Sequence, residues 1–195
     1  MKLFKKDYKN FSDEDLMRRF TDGDRKAFEE IYQRYASYMV NFFYRKLWQD
    51  RIKAEDFAHD LFAKLIDNPK VFNADRNFKT WLFSVANNMC KNEYKKQEIR
   101  KPTGYDMPEG FQSVDNEELQ DRQVDKDSFN EELKGALANL GEKHSAVFML
   151  RHFEGLSINE IGEVLEINAG TVKSRLHHAT KFLADKLAVY RKTIP

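Results

Sequence analysis

Apolar residues recur along this chain at three- and four-residue intervals, the period of an amphipathic helix, and no segment alternates convincingly in the two-residue rhythm of a strand. Ser12 with Asp15 suits the start of a first helix, whose apolar positions include Leu16, Met17 and Phe20. Gly23 and Asp24 interrupt the run. A second helix carries Phe28, Ile31, Tyr32 and Tyr35 and extends one broad stripe through Met39, Phe42 and Phe43. A third spans roughly 54–67, with Phe57, Leu61, Phe62 and Leu65 recurring, until Asn68-Pro69 ends it. A fourth begins near Phe78 and passes through Trp81, Leu82, Val85 and Met89 to about Tyr94. Together they predict an all-α module of about 90 residues with a modest, Phe-rich core.

A smaller helical module follows. Ser128 and Glu131 have capping-box spacing ahead of a helix at about 129–139. The next helix covers about 142–153, turns Val147, Phe148, Leu150 and Phe153 inward, and stops at Gly155. Ser157 and Glu160 repeat the capping-box spacing before a short helix with Ile158, Ile161, Val164 and Leu165. A tight connection through Ile167 and Asn168 leads to a last helix with Val172, Leu176, Ala179 and Leu183. Two short helices joined this closely, the second carrying basic positions, predict a helix-turn-helix.

Charge changes this picture only when it is divided along the chain. The 195 residues hold 33 Lys and Arg against 32 Asp and Glu, and this neutrality argues superficially against a nucleic-acid partner. Residues 1–102, 103–132 and 133–195, however, carry net charges of +6, −8 and +3. The middle block, which follows Pro102, also contains Gly104, Pro108 and Gly110 and no sustained apolar period. The expected organisation is a helical domain at 1–100, an acidic linker at 101–128 and a helical domain at 129–195. The lone Cys90 excludes a disulfide framework. Without a signal-like leader or an apolar run near 18 residues, a cytoplasmic protein with no membrane insertion is expected.

Two helices carry candidate binding chemistry. On the last, the Val172, Leu176 and Ala179 stripe leaves Lys173, Ser174 and His177 pointing outward, with Arg175 and His178 on the flanks. Such a face fits a major groove, where Lys and Arg donate to guanine O6 and N7 or to phosphates. Asn168 is the expected N-cap, and the backbone N–H groups beside it favour a phosphate. A plain solvated helix is the competing reading, but residues 170–195 hold six basic side chains to one acidic. The fourth helix starts aromatic and becomes polar and cationic through Asn87, Asn88, Lys91, Asn92, Lys95 and Lys96. Asn88, Asn92 and Lys95 share one face, where amides meet exposed base edges and lysines the backbone of a displaced strand. Trp81 suits the core better than a stacking platform at its spacing from Phe78 and Val85. His177 and His178 diverge, and His59, His144 and His152 lack partners at zinc spacing, so no metal is expected. No nucleophile–base arrangement or Gly-rich phosphate loop is evident, so neither catalysis nor a cofactor is expected.

Four stretches, in order, resemble the extracytoplasmic-function (ECF) group of bacterial sigma factors, the compact class with only the second and fourth conserved sigma regions. They are Asp24 to Tyr32, Ala54 to Phe62, Phe78 to Asn88, and Leu140 to Ala179, the last containing Gly170-Thr171-Val172-Lys173-Ser174-Arg175-Leu176. The resemblance covers roughly 12–96 and 130–185 and implies a promoter-specific initiation factor for core RNA polymerase. By resemblance, Glu55, Asp56, His59, Asp60 and Phe62 lie near the surface that binds the β′ coiled coil. Asn88, Lys91, Asn92, Lys95 and Lys96 match the segment that reads and opens the −10 element through the non-template strand. Asn168, Thr171, Lys173, Ser174, Arg175, His177 and His178 match the helix that reads the −35 duplex, in a module that also sits on the β flap.

Some positions depart from the family pattern. His59 replaces the usual glutamine, which invites pH sensitivity, Asn92 and Lys95 replace an Asp and an Arg, and Gly141 replaces a common Pro. The acidic linker suits basic polymerase channels as a nucleic-acid mimic, with a plain solvated linker as the competing reading. An anti-sigma factor is a common partner in the family, although no segment here identifies one. The remaining alternatives are a polymerase-independent helix-turn-helix regulator, which leaves the helix at 78–96 without a reason, and a sigma-like decoy that reads no promoter.

Overall fold

The computed structural model describes residues 8–100 and, between 128 and 190, all but 130, 131, 134, 138 and 189. The acidic stretch through residue 127 and the Glu131 half of the first expected capping box lie outside the described residues. Among the described residues there are helices and no strand. They form two units, divided between Lys101 and Pro102.

The first unit contains α1 (Asp13–Thr21), α2 (Arg25–Lys46), α3 (Arg51–Asp67) and α4 (Phe78–Arg100). Ser12 caps α1 by accepting the Asp15 N–H at 3.1 Å, and Gly23, with φ +96°, takes the left-handed turn that follows. Helix α3 begins three residues before the expected 54, because Asp50 accepts the Lys53 N–H at 3.0 Å. Apolar spacing does not reveal this first turn because its Ile52 faces water. Helix α4 continues beyond Tyr94 to Arg100.

The core lies between one side of each helix. Leu16 and Met17 from α1, Ile31, Met39 and Phe43 from α2, Leu61 and Leu65 from α3, and Phe78, Leu82, Phe83 and Cys90 from α4 are all buried. Edge-on ring contacts join Phe43 to Phe57 at 5.5 Å and Phe42 to Phe83 at 5.3 Å. Each fully buried aromatic or aliphatic side chain contributes about 1.5–3 kcal/mol of transfer free energy. The α2 stripe is narrower than its sequence suggests, since Tyr32 is exposed and Phe28 only half-buried.

Polar ties fix the helix ends. Arg34 donates to Glu30 at 2.9 Å, to Asp13 at 2.7 Å, and to the carbonyls of Tyr8, Lys9 and Phe11. Tyr35 donates to the other oxygen of Asp13, and burial together with this bond raises its phenol well above the usual range. The turn at Tyr8–Asn10 is thereby fastened to the middle of α2. Glu14 of α1 accepts the Phe78 N–H at 2.8 Å, and Asn77 accepts the Thr80 N–H at 2.8 Å, so two side chains cap α4. Lys53 of α3 meets Glu93 of α4 at 2.7 Å, and this hydrogen bond holds the Glu93 carboxyl below its ordinary value against the opposing effect of burial.

In the second unit, the described residues from 128 to 139 are helical, followed by α5 (Glu142–His152), α6 (Ile158–Leu165) and α7 (Ala169–Lys186). Ser157 and Glu160 complete their capping box. Phe153 does not face inward as expected. It follows the last turn of α5 and is 43% exposed, while Val147 and Leu150 fill the core. Phe148 and Leu176 are half-buried. Between α6 and α7, Glu166 adopts φ +58° and the Ile167 N–H returns to the Gly162 carbonyl at 2.9 Å. A Cβ on Gly162 would stand 2.8 Å from the Ile167 oxygen. This turn therefore requires glycine. No helix among the described residues is long and apolar enough to cross a membrane.

These ties have measurable consequences. Gly162→Ala must move the turn backbone, which costs about 1–3 kcal/mol, and thermal melting of the full chain should show the corresponding destabilisation. The Lys53–Glu93 contribution is complete above the unfolded carboxyl value of about 4.3 and disappears as pH falls through the lower folded value. The stability advantage of the native chain over Glu93→Gln should accordingly shrink on acidification from pH about 6 to 3.

Candidate nucleic-acid interface

Burial on one side of α4 determines what its other side presents. Phe83, Ala86 and Cys90 are in the core, and at about 100° per residue Asn88, Asn92 and Lys95 fall on the opposite side. All three are exposed or half-exposed to solvent, as are Lys91 and Lys96 on the two flanks. Asn87 departs from this group. It is 4% exposed and turned into the protein, one position round the helix from the outward amide. Trp81 is half-buried against Phe72 at 5.2 Å and Phe78 at 5.9 Å, a packing role. Tyr94 donates its hydroxyl to the Lys46 carbonyl and joins the cationic half of α4 to the end of α2.

Helix α7 follows the same rule. Val172, Ala179 and Leu183 are buried, which directs Lys173, Ser174 and His177 into solvent. Arg175 and Thr171 are half-buried and His178 is exposed, so this helix presents a broad basic surface. Asn168 caps it by accepting the Thr171 N–H at 2.7 Å. The cap takes up a backbone donor that the sequence assigns to a phosphate. His178 lies 6.0 Å from His177 and 6.0 Å from His144, ring centre to ring centre. No group of three or more His, Cys, Asp or Glu is placed to hold a metal among the described residues.

Helix α3 presents a third, acidic surface. Asp56, His59 and Asp60 are exposed, and half-buried Glu55 accepts from Arg51 at 2.6 Å. Phe62 does not belong to this surface. It is 3% exposed and packs 4.9 Å from Tyr32 and 6.3 Å from Phe28, ring centre to ring centre. Its helical position puts it with Ala58, Leu61 and Leu65 on the stripe that faces α2. Phe62 therefore holds the acidic face in place instead of forming part of it. Sequence spacing does not reveal Lys53, Glu93 and Asn77, whose polar ties orient α3 and α4. Asn77, ahead of Phe-Lys-Thr at the start of α4, is the one of these with a cap signal in the sequence.

Comparison with known proteins gives this arrangement a family. Residues 23–99 match sigma-70 region 2, and residues 130–183 match sigma-70 region 4. The ECF RNA polymerase sigma factor SigW of Bacillus subtilis is 30% identical over 173 residues, covering 85% of this chain and 91% of its own. The RNA polymerase sigma-H factor of Pseudomonas aeruginosa is 30% identical over 181 residues, covering 90% of this chain and 93% of its own. In fold, the chain is similar to RpoE solved with the anti-sigma factor NepR from Bartonella quintana (TM-score 0.66, 23% identity, 85% of this chain and 99% of that one). It is also similar to CnrH solved with the cytosolic domain of CnrY (TM-score 0.65, 19% identity, 91% and 97%). With both sigma regions present in order, and relatives matched across most of their length, the chain belongs to the ECF group of the sigma-70 family of RNA polymerase sigma factors.

Proposed function

We propose that this sigma factor binds core RNA polymerase through α3, opens the −10 element on α4 and reads the −35 duplex with α7. The observation that carries this reading is the pairing of two outward cationic helix faces, each fixed by a buried stripe, in separate units. On α7, Lys173 and Arg175 donate to base edges or phosphates, and Ser174, His177 and His178 complete the surface. Thr171 and Asn168 position its first turn. On α4, Asn88 and Asn92 hydrogen-bond unpaired bases while Lys91, Lys95 and Lys96 neutralise the strand's phosphates. Unstacking costs a few kcal/mol per base, so opening depends on capturing those bases.

Glu55, Asp56, His59 and Asp60 form the proposed surface for the β′ coiled coil, and the second unit meets the β flap. An acidic face suits a basic partner, and His59 offers ring hydrogen bonds where the family has an amide. Family membership also supports an anti-sigma factor as a regulatory partner, the class named for the RpoE neighbour. The chain itself carries out no reaction, since RNA synthesis is the polymerase's chemistry. It acts in the cytoplasm, beside DNA.

Run-off transcription with purified core polymerase and a library of promoter fragments should give at least one specific start that depends on this protein. Folded protein with active core and no specific start would favour a polymerase-independent regulator. Lys173→Ala with Arg175→Ala should weaken −35 duplex recognition by about 1–3 kcal/mol for each base pair no longer read. Asn88→Ala should mainly reduce permanganate reactivity of the opened strand. Equal effects of both changes on duplex binding and on opening would contradict this division.

A further inference from the structure

We propose that α5 joins the −35 interface, with His144 in its first turn contacting the phosphate backbone beside the groove that α7 reads. This rests on the reading of α7 as the duplex-binding helix. The core does not use the His144 side chain. The inward side of α5 consists of Ala146, Val147 and Leu150. At about 100° per residue, His144 lies about 110° round the helix from the middle of that stripe. Its half-buried ring packs instead against α7, edge-on to the ring of His178 at 6.0 Å. His178 in turn meets His177 edge-on at 6.0 Å. Three imidazoles on two helices therefore form one row, of which His177 and His178 are exposed.

Helix geometry selects the occupant. An α-helix with its side chains is about 10–12 Å across and the major groove about 12 Å wide, so a helix that enters it has a backbone on either flank. Outward side chains then meet base edges, and those on the flanks meet the sugar–phosphate walls. On α7 the buried stripe of Val172, Ala179 and Leu183 fixes the outward direction. Ser174 and Lys181 lie within about 20° of it, whereas His178 is turned about 60° to one side. His144 stands on that side of α7, because it is His178 that it touches. A backbone that passes His178 therefore passes His144 as well.

The charges on this side suit a phosphate. Arg151, seven residues on from His144 and only about 20° round α5, is exposed. Its guanidinium is steadied by a 2.9 Å bond to the Leu156 carbonyl, which uses one of the several donors it carries. Glu142, the acidic residue of the same turn, lies about 160° round the helix from His144, on the far side. On α7, Asp185 shares the His178 flank but stands about 10 Å further along the axis. An imidazole carries an N–H that donates to a phosphate oxygen. Such a contact adds affinity and fixes register but reads no base. His144 thus steadies α7 in the groove and leaves sequence to Lys173 and Arg175.

The test uses holoenzyme assembled with the native chain, His144→Ala or His144→Gln. Binding is measured to a −35 duplex fragment, to the same fragment with single base pairs changed, and to copies in which one phosphate at a time is a neutral methylphosphonate. His144→Ala should weaken duplex binding about tenfold, the scale of one hydrogen bond to a charged group. The factor should be the same on the altered sequences, and His144→Gln, which keeps an N–H donor, should retain most of the affinity. At one phosphate flanking the −35 element, the methylphosphonate should weaken binding by the native protein and leave His144→Ala unaffected. Unchanged duplex binding by His144→Ala would overturn the proposal, as would a factor that varies with base sequence. A loss that adds to the methylphosphonate effect at every phosphate would overturn it too, since His144 would then act only by packing against His178. Lys173→Ala with Arg175→Ala serves as the control. If that change weakens duplex binding and His144→Ala does not, the inference about His144 fails alone. If neither has an effect, the reading of α7 fails as well.

Discussion

A helix that buries one side cannot choose what the other side shows, and this constraint organises both units. Phe83, Ala86 and Cys90 fix the rotation of α4, and Val172, Ala179 and Leu183 fix that of α7. The cationic faces need no scaffold beyond this, because each is the remainder of a helix whose apolar half is already committed. Rotating either helix by one position would move polar side chains towards the core and expose apolar ones, both costly changes. Apolar packing thus sets the orientation that binding requires.

Packing alone leaves the helices able to slide and fray, and polar ties remove that freedom. Arg34 joins the approach to α1 to the middle of α2, Glu14 and Asn77 fix the start of α4, and Lys53 with Glu93 secures α4 against α3. In the second unit the close return of Ile167 to Gly162 sets how tightly α7 follows α6. These ties lie away from the proposed contacts but determine their geometry. They also link α3 and α4 physically, so polymerase binding and strand capture are proposed on neighbouring helices of one core.

The helices, most of their boundaries and the outward placement of the basic residues are legible in the sequence because amphipathic period reports burial directly. The differences arise where neighbours in sequence do not share a face. Phe62 lies within the acidic motif but turns into the core, and Asn87 adjoins Asn88 but points inward. Phe153 continues an apolar rhythm past the end of its helix and emerges into solvent. The cap at Asp50 is hidden because the first turn of α3 buries little, and the role of Arg34 because partners such as Phe11 and Asp13 lie more than 20 residues away. Long-range polar contacts leave no periodic trace. The acidic stretch expected to link the two units is legible from charge alone, and residues 101–127 lie outside the described residues.

The division of labour between the two cationic faces can be mapped directly with DNA-cleaving reagents tethered to single cysteines in holoenzyme. The native Cys90 is buried, and burial pushes its thiol up to about 12, so it should stay unlabelled beside an exposed thiol. A reagent on Asn92→Cys should cut the unpaired non-template strand at the −10 element, and one on Ser174→Cys should cut the −35 duplex. The same cleavage pattern from both positions, or cutting by the Asn92→Cys reagent only in duplex DNA, would contradict the assignment of opening to α4 and duplex reading to α7.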